Sequence, residues 1–474
     1  MMETIVRLES ITIENFKNIV RGQLNFSNNR KPFRTSILGL YGQNGSGKTA
    51  LIDAIELLQF ALKGQPVPEK YADFINVEAD AAALHYEFSI LSGNGKYEVY
   101  YDFKLRSEKV EDSQNLGFQG NEETHHKAVI TEEILGYAYE EGSTKIRKGA
   151  LIDTTSSRVF APVAKYKCLL GKDKELAVDL MVNKKVTAGA SKSFIFSREL
   201  LTAIRNNQEG KKNAEYQRHM VLIESLVRYG NFELFVINTS NTGIISMNAL
   251  PLAFKYESGS NAAVGNILIP LENEVPIPED AVAMVKTVIT NMNVVLSQIV
   301  PGLTISVKIL GEMVFSDGKK GFKIQLMSMK NRKEIPLKYE SEGIKKIISI
   351  LQLLIVVYNR SSITVAIDEL DSGLFEYLLG ELLRIISEKG KGQLIFTSHN
   401  LRPLETLDRG FIAFTTTNPS NRYIRMVNLK DNNNLRDFYF RDIILGEQNE
   451  EVYDPTNNAE IALAFREAGD FSGT

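Results

Sequence analysis

The sequence predicts an α/β phosphate-loop fold carrying an antiparallel β subdomain and a mainly helical insertion. Three observations predict it. An apolar β-like segment at 35–41 runs into Gly42-Gln43-Asn44-Gly45-Ser46-Gly47-Lys48-Thr49, and Leu51, Ile52, Ile55, Leu58 and Leu62 follow at helical spacing. Much later, two short apolar segments end in polar side chains suited to chemistry: 363–367 before Asp368-Glu369, and 393–397 before Ser398-His399. Between these regions, 84–90, 97–105 and 129–139 alternate apolar and polar residues, as antiparallel strands wetted on one face do.

In chain order, 4–26 reads as short strands around the turn Glu14-Asn15-Phe16-Lys17-Asn18, and Gly64 and Pro66 end the helix at 50–62. Residues 107–127 read as a polar loop. From about 173 to 278 the character changes. A helical pattern at 198–229, broken by Asn206-Asn207-Gln208-Glu209-Gly210-Lys211-Lys212, reads as an insertion whose apolar positions do not sustain coiled-coil heptads. After Pro278 come a helix pattern at 279–299, strands at 303–310 and 321–327, and alternating helices and strands to about 429. The expected division is an N-terminal lobe at 1–172, the insertion at 173–278 and a C-terminal lobe at 279–474, with the tail after Glu447 loosely ordered.

The chain has 474 residues, enough for a composite domain, with 43% hydrophobic and 24% charged residues, which excludes bulk disorder. A formal charge of −3 argues against a surface built as a whole for nucleic acid, while a local basic patch stays open. The single cysteine, Cys168, excludes an internal disulfide framework and a cysteine-based zinc cluster, and fits a reducing cytoplasm. The N-terminus lacks a signal-peptide core. The longest apolar candidate, 344–358, opens on Lys345-Lys346 and is too short to span a bilayer, so no membrane is expected.

The octet at 42–49 fits G-x-x-x-x-G-K-[ST] in the strand-to-helix context the motif requires. Its glycines let backbone N–H groups turn toward phosphate oxygens, and the helix N-terminus adds positive potential. Lys48 is placed to reach the β/γ-phosphates of ATP, and the Thr49 hydroxyl to ligate Mg²⁺. The segment ending in Asp368-Glu369 fits a Walker B strand. A desolvated carboxylate needs a cation, which Mg²⁺ supplies to Asp368, while Glu369 orients and deprotonates the attacking water. His399 can hydrogen-bond the γ-phosphate or that water. His85, His125, His126 and His219 lack metal-ligand spacing to a cysteine or acidic partner and are assigned structural or surface roles.

These residues resemble the ABC-type ATPases of the SMC and RecF kind, and more narrowly the AAA15/OLD-like ATPases of bacterial phage defence. The resemblance covers 6–63 and 336–416. Ile11-Thr12-Ile13-Glu14-Asn15-Phe16-Lys17 is similar to the family's opening strand and turn, whose basic residue, here Lys17, lies near the nucleotide. Tyr339-Glu340-Ser341-Glu342-Gly343 resembles a degenerate ABC signature, Asp371-Ser372-Gly373-Leu374 the D-loop, and His399 the switch histidine. The resemblance implies that Ser341 and Gly343 meet the γ-phosphate on a partner's phosphate loop, so that ATP joins two copies. Ser341 also suits a plain helix N-cap. The signature lacks the second glycine of transporters, and no Q-loop glutamine can be placed.

OLD-type nucleases continue into a Toprim domain, whereas only about 60 residues follow Thr416 here, without a second carboxylate cluster. The resemblance therefore implies an effector nuclease encoded separately, as in PARIS-type defence, and a phage-encoded trigger. The alternative is a RecF-like repair ATPase clamping DNA. Its candidate cations, Lys184, Lys185, Lys192, Arg198, Arg205, Lys211 and Lys212, are interleaved with Glu199, Glu209 and Glu215, as on a solvated face.

Overall fold

A computed structural model of the chain describes residues 4–27, 35–109, 126–238, 249–258, 261–316, 318–330, 333–426, 434–445, 448–454 and 456–470; for 249–258 and 261–268 it describes the backbone alone. Most of the expected polar loop, with His125, lies outside these residues.

The central sheet runs, in order, Tyr423–Ile424, Ile412–Thr415, Ser36–Tyr41, Gln393–Thr397, Thr364–Ile367 and Leu234–Ile237. All but the first pair in parallel. A parallel sheet is covered on both faces, and Ser36–Tyr41, Thr364–Ile367 and Gln393–Thr397 are buried at every position. That is why these segments read as short unbroken apolar runs. Leu234–Ile237 was not anticipated. The segment read as an insertion holds helices at Lys174–Gly189, Arg198–Asn206 and Ala214–Arg228, and then returns a strand to this sheet, followed by the hairpin Ala249–Ser258 and Asn261–Pro270. Four residues beside a helical run carry too little periodicity to be read as a strand.

The second sheet is antiparallel, in the order Ile19–Asn25, Ile5–Phe16, Ala82–Ser92, Gly95–Lys109, His126–Glu141 and Thr144–Asp153. Its apolar face packs on the phosphate-loop helix Lys48–Leu62, where the Tyr86 hydroxyl donates to the Ala54 carbonyl at 2.7 Å. Two buried polar side chains join the sheets. Arg7 donates to the carbonyls of Lys391 (2.9 Å) and Ser361 (3.2 Å). The Gln393 amide accepts from the Leu8 N–H at 2.9 Å and donates to the Leu8 carbonyl at 2.8 Å.

A smaller sheet of Val275–Pro278, Lys320–Lys330, Leu303–Val314 and Lys333–Pro336 packs on helix Glu279–Ile299. Among the described residues this helix is the one long and apolar enough to cross a membrane, at a mean hydropathy of 1.3. Its buried stripe of Val282, Val285, Ile289, Met292 and Leu296 faces that sheet and the helix Glu342–Asn359, as in an amphipathic helix with one covered face. The tail expected to be loosely ordered contains helix Asn458–Asp470, whose first turn is capped by the Asn457 side chain accepting from the N–H groups of Ala459 (3.1 Å) and Glu460 (3.3 Å).

Candidate nucleotide site

Parallel strands deliver their carboxyl ends to one edge of the sheet, where ligands of such folds bind. Tyr41 leads into the phosphate loop, Ile367 into Asp368-Glu369, Thr397 into Ser398-His399 and Ile237 into Asn238. A cavity of about 670 Å³ opens there. Asn44, Gly45, Gly47, Lys48 and Thr49 line it from the loop, Asp368, Glu369 and His399 from the neighbouring strand ends, and Lys17 and Asn18 from the first turn.

The loop depends on its glycines. Gly45 and Gly47 hold φ of +75° and +93°, which L side chains rarely adopt, and a Cβ at Gly42 would fall on the Thr415 hydroxyl. The loop is gripped from the far end of the chain. Ser46 Oγ lies 2.6 Å from the Gln43 carbonyl and 2.5 Å from Thr415 Oγ1, the Tyr423 hydroxyl donates to the Gly47 carbonyl at 2.8 Å, and Gln43 accepts from the Asp454 N–H at 3.0 Å. Asn18 donates to the Gly45 carbonyl, while Arg422 donates to the carbonyls of Asn18 and Thr416, both at 2.6 Å. A preshaped turn whose glycines leave room for a ligand fits a triphosphate.

The Lys48 ammonium donates to the carbonyls of Gly42 (2.8 Å) and Gln43 (2.9 Å), folded onto its own loop. Burial lowers its pKa, opposed by the charges of Asp368, Glu369 and Asp371. The Lys17 ammonium pairs with Asp53 and sits 3.9 Å from the Phe74 ring centroid. Lys17 therefore lines the cavity with its charge already engaged. Asp53 also accepts from the Asn238 amide, and burial raises its pKa against the pull of Lys17.

Asp368 is buried, and its carboxylate accepts from the Thr397 hydroxyl. Glu369 stands at φ +49°, and its N–H donates to the same hydroxyl. Asp371 accepts from the N–H groups of His399 (3.1 Å) and Asn400 (2.9 Å), joining the turn after Asp368-Glu369 to the histidine loop. Ser341 and Gly343 do not line this cavity. They open helix Glu342–Asn359, where Ser341 caps the Ile344 N–H at 3.4 Å and a Cβ on Gly343 would stand 2.9 Å from the Gly373 carbonyl. On the same helix, burial pushes Lys346 down to about 8 against the charges of Asp371, Glu369 and Asp368.

Sequence reasoning missed Thr397, Asp53, Asn238, Thr415, Arg422 and Tyr423. Asp53 had a signal, being a carboxylate among the apolar positions of an otherwise buried helix. Nothing local distinguishes the others.

Away from the cavity, Cys168, Glu215 and His219 place donor atoms within 4.8 Å of one another, a proximity the sequence spacing did not show. The Lys165 ammonium fills that space, 2.6 Å from Glu215 and 3.4 Å from His219 Nε2. Cys168 faces the other ring nitrogen at 3.9 Å. His219 is a buried core residue within hydrogen-bonding distance of the Tyr137 hydroxyl (3.0 Å), and burial lowers its pKa to about 4.

A glycine-rich turn between a parallel strand and a helix, with paired carboxylates at the end of the strand two places away in the same sheet, defines a phosphate-loop nucleotide-binding protein. Over residues 7–402 the chain matches the family model described as AAA ATPase domain, and it belongs to that family. It is 35% identical over 103 residues to DNA replication and repair protein RecF of Azobacteroides pseudotrichonymphae and 34% over 103 residues to that of Bacteroides fragilis. Each match spans 22% of this chain and 25% of the relative. Similar solved structures include an SMC head bound to the C-winged helix domain of ScpA (12% identity, TM-score 0.36, 88% of this chain and 97% of that one). The SMC head domain from Thermotoga maritima follows (14%, 0.34, 89% and 99%), and a RecF–ATP structure (12%, 0.32, 84% and 94%).

Proposed function

We propose that this ATPase is a nucleotide-controlled sensor and scaffold: ATP, held with Mg²⁺ on Lys48, Thr49 and Asp368, closes two copies on each other, and Glu369 with His399 promotes hydrolysis. The observation that carries this reading is the face formed by the signature-like turn and the D-loop-like turn. Gly343 packs against Gly373, Asp371 is tied to the histidine loop, and the exposed aromatics Tyr339, Phe375 and Tyr377 border them. Ser341 thus stands outside its own cavity, beside aromatic surface suited to a partner. Its hydroxyl and the N-terminal amides of its helix suit a phosphate presented by a second copy.

ATP brings the phosphate charge that Lys48 is positioned to neutralise. The remaining work belongs to the chain: Thr397 holds Asp368 and the Glu369 backbone, and Asp371 holds the backbone of His399. Glu369 would take the proton from the attacking water. The output we assign is control of a separately encoded, Toprim-like nuclease in anti-phage defence, released by a phage-encoded trigger. This assignment rests on the family resemblance. The test is co-expression with the product of the neighbouring reading frame: stable, ATP-dependent co-purification of a nuclease supports the reading, and its absence refutes effector control.

The second reading, a repair ATPase clamping DNA, is favoured by the matches to RecF. Two of its candidate cations are engaged internally: Lys184 donates to the carbonyls of Thr154, Ser156 and Arg158, and Arg205 pairs with Glu224. Strong salt-dependent DNA affinity of the ATP-bound form would decide for this reading.

A further inference from the structure

Among the described residues, two surfaces stand uncovered and complement each other. The first is a groove of about 630 Å³ between helices Val163–Leu170 and Lys174–Gly189. Val163, Tyr166, Val178, Met181 and Val182 line it with apolar surface. Val178, Val182 and Val186 repeat every four residues and are 63%, 57% and 58% exposed. Such a stripe on a helix normally faces a core. The groove is rimmed by Arg158, Lys167, Lys172, Lys174 and Lys185, against the single acid Asp173.

The second surface is helix Asn458–Asp470, exposed at each of its positions from 458 to 469. Ile461, Ala464, Phe465 and Ala468 recur at i, i+3, i+4 and i+7, the pattern of a helix with one buried face. Ile461 is 42% and Phe465 77% exposed. Glu460 and Glu467 border that face along one side, with Arg466 and the exposed Leu463 across the helix. Thirteen residues make a helix about 20 Å long, more than the roughly 12 Å from Val178 to Val186.

We propose that helix Asn458–Asp470 of one copy docks in the groove between Val163–Leu170 and Lys174–Gly189 of a second copy. Apolar face meets apolar floor, and the glutamates meet the basic rim. Among the described residues both surfaces stand open within one copy, and the occupant we assign from this complementarity is a neighbour's helix. The contact needs no nucleotide and is independent of closure through Ser341.

The experiment uses the full chain in a Lys48→Ala background without nucleotide, so that ATP-driven association does not contribute. Light scattering should give a concentration-dependent mass above the 53.1 kDa of one chain. Phe465→Asp and Val182→Asp should each return it to the single-chain value. With Cys168→Ser, mixing a Val182→Cys copy with a differently tagged Phe465→Cys copy should yield a disulfide between the two chains on oxidation. A cross-link forming only within a chain that carries both cysteines would show that the helix reaches its own groove and would overturn the proposal. A mass unchanged by both aspartates would overturn it equally, and the cross-link reads out independently should either aspartate variant fail to fold.

Discussion

The Thr397 hydroxyl donates a 2.6 Å hydrogen bond to the Asp368 carboxylate and accepts one at 2.7 Å from the Glu369 N–H. One buried oxygen on the neighbouring strand thereby orients both acidic residues. Thr397→Val keeps the shape and removes both bonds. We expect turnover to fall roughly 10-fold or more and stability by about 1–3 kcal/mol, as for a buried polar group losing its partner. Thr397→Ser should restore most of both. Equal turnover for the valine and wild-type proteins, with urea unfolding run alongside, would remove Thr397 from this role.

Lys48→Ala should weaken ATP binding by about 10²-fold or more, because a charged donor to phosphate is lost. The fold should survive, since among the described residues the ammonium donates to two carbonyls of its own loop. Titration calorimetry with a circular-dichroism control checks this. Unaltered affinity in folded protein contradicts the site.

Glu369→Gln should bind ATP normally yet hydrolyse it roughly 10²-fold more slowly, because an amide holds the water but takes no proton. Asp368→Asn should instead lose affinity, through the Mg²⁺ site. Side-by-side binding and turnover assays separate the two roles, and matching profiles would show the assignment of roles to be wrong.

Ser341→Arg should leave ATP binding by a single chain intact, because Ser341 lies outside that chain's cavity, while blocking ATP-dependent association. Sedimentation with and without ATP tests it. Association at the wild-type level would exclude a composite site.

Glu133 is fully buried and accepts from the Ser193 hydroxyl at 2.8 Å and from the N–H groups of Phe194 and Ile195. Burial pushes its pKa from 4.5 up to about 7. A carboxyl whose folded pKa is raised holds its proton more tightly in the native state. Its contribution to stability is therefore complete below about pH 4.5 and lost as pH rises to about 7, on the order of 1–3 kcal/mol. Glu133→Gln should flatten that part of the profile in urea unfolding between pH 5 and 8. An identical slope in both proteins would refute the linkage.

What the sequence determined by itself is the chemistry carried by consecutive residues. A phosphate loop must be written contiguously, since one turn supplies its amides, and a buried strand ending in acids stands out because desolvated carboxylates are costly. The candidate residues Asn44, Gly45, Gly47, Lys48, Thr49, Asp368 and Glu369, which line one cavity, could be picked out for that reason, and the antiparallel sheet could be picked out from its alternation. Only the tertiary structure decided what joins them. Thr397, Asn238, Thr415, Arg422 and Tyr423 act through contacts across tens to hundreds of residues, and a threonine in a strand looks the same whether or not it holds a carboxylate. Lys17 shows the same limit: its position by the cavity could be anticipated, but its pairing with Asp53 depends on how a turn and a helix pack. The strand Leu234–Ile237 was invisible because four residues hold too little periodicity, and parallel pairing with Thr364–Ile367 leaves no local mark.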